Sequence, residues 1–126
     1  MRIGELARRT GASVRSLRYY EEQALLSSGR SSSGQRLYAE SAVDRVLLVR
    51  RLFTAGLSSR TIAELLPCVD MPSRETADEA WKRLVEERER LDAHIADLVR
   101  TRDSLDEVIQ ANREHLAALA PAEQPA

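Results

Sequence analysis

The sequence predicts an all-α fold with one small β-hairpin, and three observations carry that prediction. Two short amphipathic segments near the N-terminus are separated by Thr10-Gly11-Ala12. A Ser/Gly-rich stretch framed by Arg30 and Arg36 runs into the β-capable Arg36-Leu37-Tyr38. From about residue 74 to 119 no Gly or Pro occurs, and Leu and Ile recur at alternating spacings of four and three.

At 126 residues the chain suits one globular domain plus an extension. Its aromatic content is 4%, so the core must be built mainly from Leu, Val, Ala and Ile. No apolar run of the length of a membrane span occurs, and Arg2, Glu5, Arg8 and Arg9 interrupt any leader-like start, so a cytoplasmic protein is expected. Cys68 is the one cysteine, which leaves no internal disulfide framework and no multi-cysteine metal or iron–sulfur site within one chain. With only His94 and His115 to add, neither metal nor cofactor is expected. The net charge of −1 hides an asymmetry: residues 1–66 hold 11 Arg against 6 Asp and Glu, whereas residues 67–126 hold 8 Lys and Arg against 14 acidic residues. A basic N-terminal half is the footprint of a polyanion binder.

Taken in order, Arg2 to Arg9 reads as a short helix with Ile3, Leu6 and Ala7 on one face. Gly11 supplies the left-handed turn, and Ser13 caps a second helix through Gln23. At about 100° per residue, Val14, Leu17 and the stem of Glu21 share one face. Arg15, Ser16 and Tyr19 fall opposite, with Arg18 and Tyr20 at the margins, so two arginines and two tyrosines are expected to face water. Guanidinium groups reach phosphates or guanine edges and phenols reach phosphates; a plain solvated helix is the other reading. Helix, Gly-containing turn and helix make the helix-turn-helix spacing.

Seven of the twelve residues from Ser27 to Tyr38 are Ser or Gly. A flexible linker would have this composition, but the Arg30–Arg36 frame and the strand-like end favour a hairpin with a basic tip, or wing. Ser41 and Asp44 read as a capping box opening the most buried helix, with Val43, Val46, Leu47, Val49, Leu52 and Phe53, closed at Gly56. Ser58, Ser59, Arg60 and Thr61 open the next helix, with Ile62, Leu65 and Leu66 inside; that N-terminus suits either a phosphate or plain capping. Pro67 and Pro72 are expected to end helix and mark the main boundary. Beyond it Leu84, Arg88, Leu91, Ile95, Leu98, Arg102, Leu105, Ile109, Asn112, Leu116 and Leu119 form a seam in which eight of eleven positions are Leu or Ile. No other long helix in the chain can cover it, which points to a second copy. Trp81 and Val85, near its start, are expected to pack back on the first domain, and Pro121 to Ala126 to form a disordered tail.

With these pieces in place the chain resembles the MerR family of bacterial transcription regulators. The likeness rests on Ile3-Gly4-Glu5-Leu6-Ala7, Gly11, Val14-Arg15-Ser16-Leu17-Arg18-Tyr19-Tyr20-Glu21, Gly34-Gln35-Arg36-Leu37-Tyr38 and Ala55-Gly56-Leu57. It is close over residues 1–66 and holds for the long helix by arrangement only. The resemblance implies a winged helix-turn-helix over residues 1–70, then a long antiparallel coiled-coil dimerisation helix over 71–120, with the tail at 121–126. It implies that the helix opened by Ser13 and Val14 enters the major groove. Arg15 and Arg18 would contact bases or phosphates, and Tyr19 and Tyr20 would touch phosphate or brace the wing. Arg36 and Tyr38 would hold the wing to the backbone, while Ser58, Ser59 and Arg60 anchor a second wing. The seam residues Leu84, Leu91, Ile95, Leu98, Leu105, Ile109 and Leu116 would join two copies. The implied partners are double-stranded promoter DNA and RNA polymerase at the nucleoid, with a bent, untwisted spacer as the mechanism.

The chain departs from the family in its sensors. Metal-sensing relatives carry cysteines at the dimer helix that this sequence lacks. Cys68, in the link, is either a thiol sensor or a small core residue, and an apolar effector beside Trp81 is a third option. An architectural, excisionase-like DNA-bending protein and a coiled-coil adaptor are the competing functions, and no catalytic constellation stands out.

Overall fold

The computed structural model describes residues 1–119, so the expected tail lies outside the described residues. In chain order the elements are α1 (Ile3–Thr10), α2 (Val14–Glu22), β1 (Gly29–Arg30), β2 (Arg36–Leu37), α3 (Ala42–Thr54), α4 (Ser59–Asp70) and α5 (Arg74–Leu119). The chain divides into two compact units, Met1–Trp81 and a second that begins at Lys82. No described helix is long and apolar enough to cross a membrane.

The first unit forms around Leu6, Leu17, Leu25, Val46, Val49 and Ile62, all fully buried. Helix α1 packs on α2 and α3, and α4 packs on α3. Each helix start and stop has a local cause. Gly11 takes φ +76° and its N–H donates to the Ala7 carbonyl at 2.9 Å, closing α1. Ser13 Oγ accepts from Ser16 N–H at 3.0 Å, opening α2. At the far end of α2 a 6→1 bond from Leu25 N–H to the Tyr20 carbonyl (2.8 Å) forces Ala24 to φ +60°. Gly56 and Leu57 close α3 by the same motif, donating to Phe53 and Leu52. Ser73 and Thr76 exchange side-chain and backbone bonds at 3.0 and 3.1 Å, a reciprocal cap for α5.

The Ser/Gly stretch is a hairpin. β1 and β2 pair antiparallel, Gly29 with Leu37 and Arg30 with Arg36. The tip is tightened by Ser31 N–H to Gln35 O (2.7 Å) and Gly34 N–H to Ser31 O (2.9 Å). Arg30 donates to the Gly34 carbonyl at 3.1 Å.

Several expectations are corrected. Helix α4 runs through Pro67 to Asp70, and Pro72 alone falls at the break. Pro67 removes one hydrogen bond to Ala63, but it sits exposed in the last turns, where water can take the freed carbonyl. Ser41 makes no cap bond: its own backbone is already α-helical (φ −61°, ψ −17°), which is not N-cap geometry. Nor is α3 the most buried helix. It buries Ala42, Val46 and Val49 but leaves Leu47 exposed, while the shorter α4 buries Thr61, Ile62, Leu65 and Leu66. Trp81 does not pack inward; it is 70% exposed.

The described part of the second unit is α5 from Lys82 onward. Arg90 pairs with Glu87 at 2.8 Å and Arg83 with Glu87 at 3.4 Å, the one-turn pairs of a solvated helix. None of its described residues is buried, and the seven seam residues named above are 43–59% exposed.

Two positive-φ sites give opposite expectations. A Cβ on Gly11 would be strained by φ +76° and would stand 2.9 Å from Arg50 Nη1, which donates to the Thr10 carbonyl. Gly11→Ala should therefore lower stability by about 1–2 kcal/mol. Ala24→Gly should raise it by roughly 0.5–1 kcal/mol, since Gly tolerates the left-handed region. Urea denaturation of the two variants checks the signs; equal signs would contradict the assignment.

Candidate nucleic-acid interface

Helix α2 supplies the centre of the site. Leu17 is fully buried, and Tyr20, 7% exposed, stacks on Phe53 of α3 with ring centroids 5.5 Å apart. These two side chains set which face of α2 turns outward. Arg15, Arg18 and Tyr19 are exposed, Val14 is half-buried, and Ser13 is occupied as the cap. The expectation that both tyrosines face water holds for Tyr19 only. Tyr20 sits at the margin of the helical wheel, and only the position of Phe53 decides that it turns in.

The N-terminus of α4 lies beside α2. Tyr19 Oη donates to Ser59 Oγ at 3.3 Å, and Ser59 Oγ donates to Gln23 Oε1 at 3.3 Å. Ser58 caps α4 by accepting from Thr61 N–H at 3.1 Å, so its hydroxyl is engaged structurally. Arg60 projects into solvent, with Glu64 one turn on at 3.9 Å. Thus Tyr19 and Ser59 form one surface, and Arg60 extends it.

The wing is fastened to the other side of α2 through Glu21. Its carboxylate accepts the Tyr38 hydroxyl at 2.9 Å and pairs with Arg36 at 3.0 Å. Tyr38 is 2% exposed, and its backbone is tied to Met1 by bonds of 2.7 and 2.8 Å. Burial first, then the hydrogen bond to Glu21, raises the Tyr38 hydroxyl above its ordinary pKa of 10.0; Arg36 and Arg18 pull the other way. Burial likewise raises Tyr20.

Arg18, Arg36 and Tyr38 therefore converge, and with Arg2, Ile3 and Gln35 they line a cleft of about 260 Å³. Sequence reasoning missed Arg2, Glu21 and Phe53 as parts of the site. Glu21 was legible as a helix-face residue, but its partners come from the wing. Arg2 carried one unread signal: a cation at a helix N-terminus opposes the dipole. Cys68 is half-buried in α4, so it is neither a sealed core residue nor fully open.

A reading helix seated by its neighbours, a hairpin tied to it and an exposed arginine face make up a winged helix-turn-helix DNA-binding protein. Two family profiles match the chain: "MerR HTH family regulatory protein" over residues 1–67 and "MerR, DNA binding" over residues 43–108. The SoxR-homolog transcriptional activator of Chromobacterium violaceum is 38% identical, over 85% of this chain and 72% of its own length. The regulator ZntR of Escherichia coli K12 is 36% identical, over 87% and 79%. Among solved structures, PbrR691 of Ralstonia metallidurans CH34, determined in complex with lead(II), is 31% identical and superposes with a TM-score of 0.58 over 100% of this chain and 89% of its own. The chain belongs to the MerR family of DNA-binding transcriptional regulators.

The buried tyrosines predict an alkaline transition. A raised folded-state pKa means that stability is fully present below pH 10 and is lost as pH rises through the folded value. Wild type holds two such groups. Tyr38→Phe removes one of them, together with a hydrogen bond worth about 1 kcal/mol. The variant should be less stable at pH 8 yet lose less stability between pH 8 and 10.5. Parallel losses in the two proteins, measured by urea denaturation, would refute the coupling.

Proposed function

We propose that this regulator works as a homodimer joined along α5 and controls transcription by bending and untwisting the promoter it binds. The observation that carries this reading is the α5 seam: Leu and Ile at heptad spacing, exposed along a helix of which no described residue is buried. From Leu84 to Leu119 the seam runs roughly 50 Å at about 1.5 Å per residue. Likeness to the family supports an antiparallel arrangement, and Arg88, Arg102 and Asn112 within the seam would fix its register.

Each copy would lay α2 in the major groove, with Arg15 and Arg18 at bases or phosphates. Tyr19, Ser59 and Arg60 would meet the backbone on one side and the wing, through Arg36, on the other. Ser13, Ser58, Tyr20 and Tyr38 act beneath them, capping or seating the elements that make contact. Two heads held by one stiff helix pair can distort the duplex between them, so that RNA polymerase, at the nucleoid in the cytoplasm, engages the promoter.

For the signal we keep Trp81 and Cys68. The exposed indole offers a surface for a flat apolar effector, and the half-buried thiol lies in the last turns of α4. Lead binding, the property named for PbrR691, is not extended to this chain, which brings one cysteine per copy to a soft metal.

Leu98→Asp should convert the dimer to monomer, read as halved mass by sedimentation, and weaken promoter binding at least 100-fold because the two heads lose their linkage. In a ligation topology assay, wild type should change the linking number of a plasmid carrying its site. An unchanged linking number with full occupancy would remove the untwisting mechanism.

A further inference from the structure

We propose that Arg2, Arg18 and Arg36 form a clamp that holds one DNA backbone phosphate, with Arg2 as the member that no motif indicates. The inference rests on the DNA-binding reading above and names the chemistry at one point of that surface.

The three guanidinium groups come from three elements: the N-cap position of α1, the middle of α2 and the second wing strand. All three residues are exposed, and all three line the single cleft with Ile3, Gln35 and Tyr38. The carboxylate bonded to its lining is Glu21, which pairs with Arg36 at 3.0 Å, accepts the Tyr38 hydroxyl and is itself 16% exposed. Among the described residues, Arg2 and Arg18 have no ion-pair partner. The lining of the cleft thus holds three arginines and no acidic residue, and the Glu21 carboxylate bonded to it is already engaged. An anion of compact, many-faced shape satisfies donors arriving from three elements. A base edge, which is planar, accepts from one direction.

The start of α1 gains nothing from the Arg2 side chain. As the residue before α1 it makes no side-chain cap bond, and its charge opposes the helix dipole. A helix start with a Ser or Asp there would be more stable. An incoming phosphate reverses the sign of the argument. It meets the positive end of α1 and the Arg2 guanidinium together, and bridges α1, α2 and the wing, which would hold the wing against α2 when DNA is bound.

The test uses the full chain and a duplex from its own promoter. Arg2→Ala should not lower the melting temperature, since the lost charge opposes the α1 dipole, but should weaken binding about tenfold and lower the slope of log K against log salt by about 1 per head. The loss should be equal on an unrelated duplex, since a phosphate contact carries no sequence information. Neutral methylphosphonates placed singly along the duplex should reveal one position per half-site that weakens wild type more than it weakens Arg2→Ala, because Arg18 and Arg36 still reach that phosphate in the variant. Unchanged affinity and slope in Arg2→Ala would overturn the clamp while leaving DNA binding intact. So would inorganic phosphate raising the wild-type melting temperature but not that of Arg2→Ala, with no coupled position in the duplex, because the cleft would then serve a free anion. A wild type that binds no duplex would remove the DNA-binding reading and the clamp with it.

Discussion

The inward pinning of α2 is the constraint on which the rest of the site depends. Leu17 is fully buried and Tyr20 stacks on Phe53, so the nine-residue helix can sit in only one rotation. That rotation leaves Arg15, Arg18 and Tyr19 outward as a consequence of packing. A helix this short would not be stable by propensity alone; its conformation is supplied by the Ser13 cap and by the core beneath it. The exposed arginine face and the stabilising core face are therefore opposite faces of the same helix. A change at Phe53, whose ring stacks on Tyr20 and lies 6.4 Å from that of Tyr19, would disturb the whole arginine face.

Glu21 extends this constraint to the wing. The hairpin has two residues per strand and exposes all four, so it has little means of holding itself in place. It is positioned by Tyr38, buried just beyond β2, and by the Glu21 carboxylate, which accepts from Tyr38 and pairs with Arg36. A lone carboxylate would weaken the positive charge of this arginine surface. Here its charge is matched by Arg36, and its removal from solvent turns it into a bracket between two elements of a basic surface.

The division of charge along the chain has the same logic. The arginine-rich half builds the first unit, and its excess charge gathers where α2, the wing and the starts of α1 and α4 come to the surface. The acidic half builds α5, where carboxylates and arginines alternate as one-turn pairs and leave an apolar stripe uncovered. The stripe is what a long solvated helix cannot justify alone, and it is the feature on which the proposed pairing of two copies rests.

Much of this was legible in the residues because it is local. Gly11 and Ser13 announce the turn and the cap by their backbone and side-chain chemistry, and residues 74–119 announce a helix by the absence of breakers. The hairpin could be read from Arg30 and Arg36 around a Ser/Gly tip, although its composition alone would also have suited a linker. What could not be read depends on partners distant in sequence. Tyr20 turns inward because Phe53, 33 residues on, offers it a ring. Pro67 fails to end α4 because its exposed position lets water replace the lost bond. Ser41 fails to cap because the preceding turn already holds it in helical geometry. Arg2 joins Arg18 and Arg36 only when α1, α2 and the wing are folded together. The residues alone settle the element order, the caps at Gly11, Ser13 and Ser58 and the family, since these follow from short-range sterics and motifs. Folding alone settles which tyrosine is exposed and which is core, and which arginines share a cleft, because burial and convergence are properties of neighbours that the chain brings together only on folding.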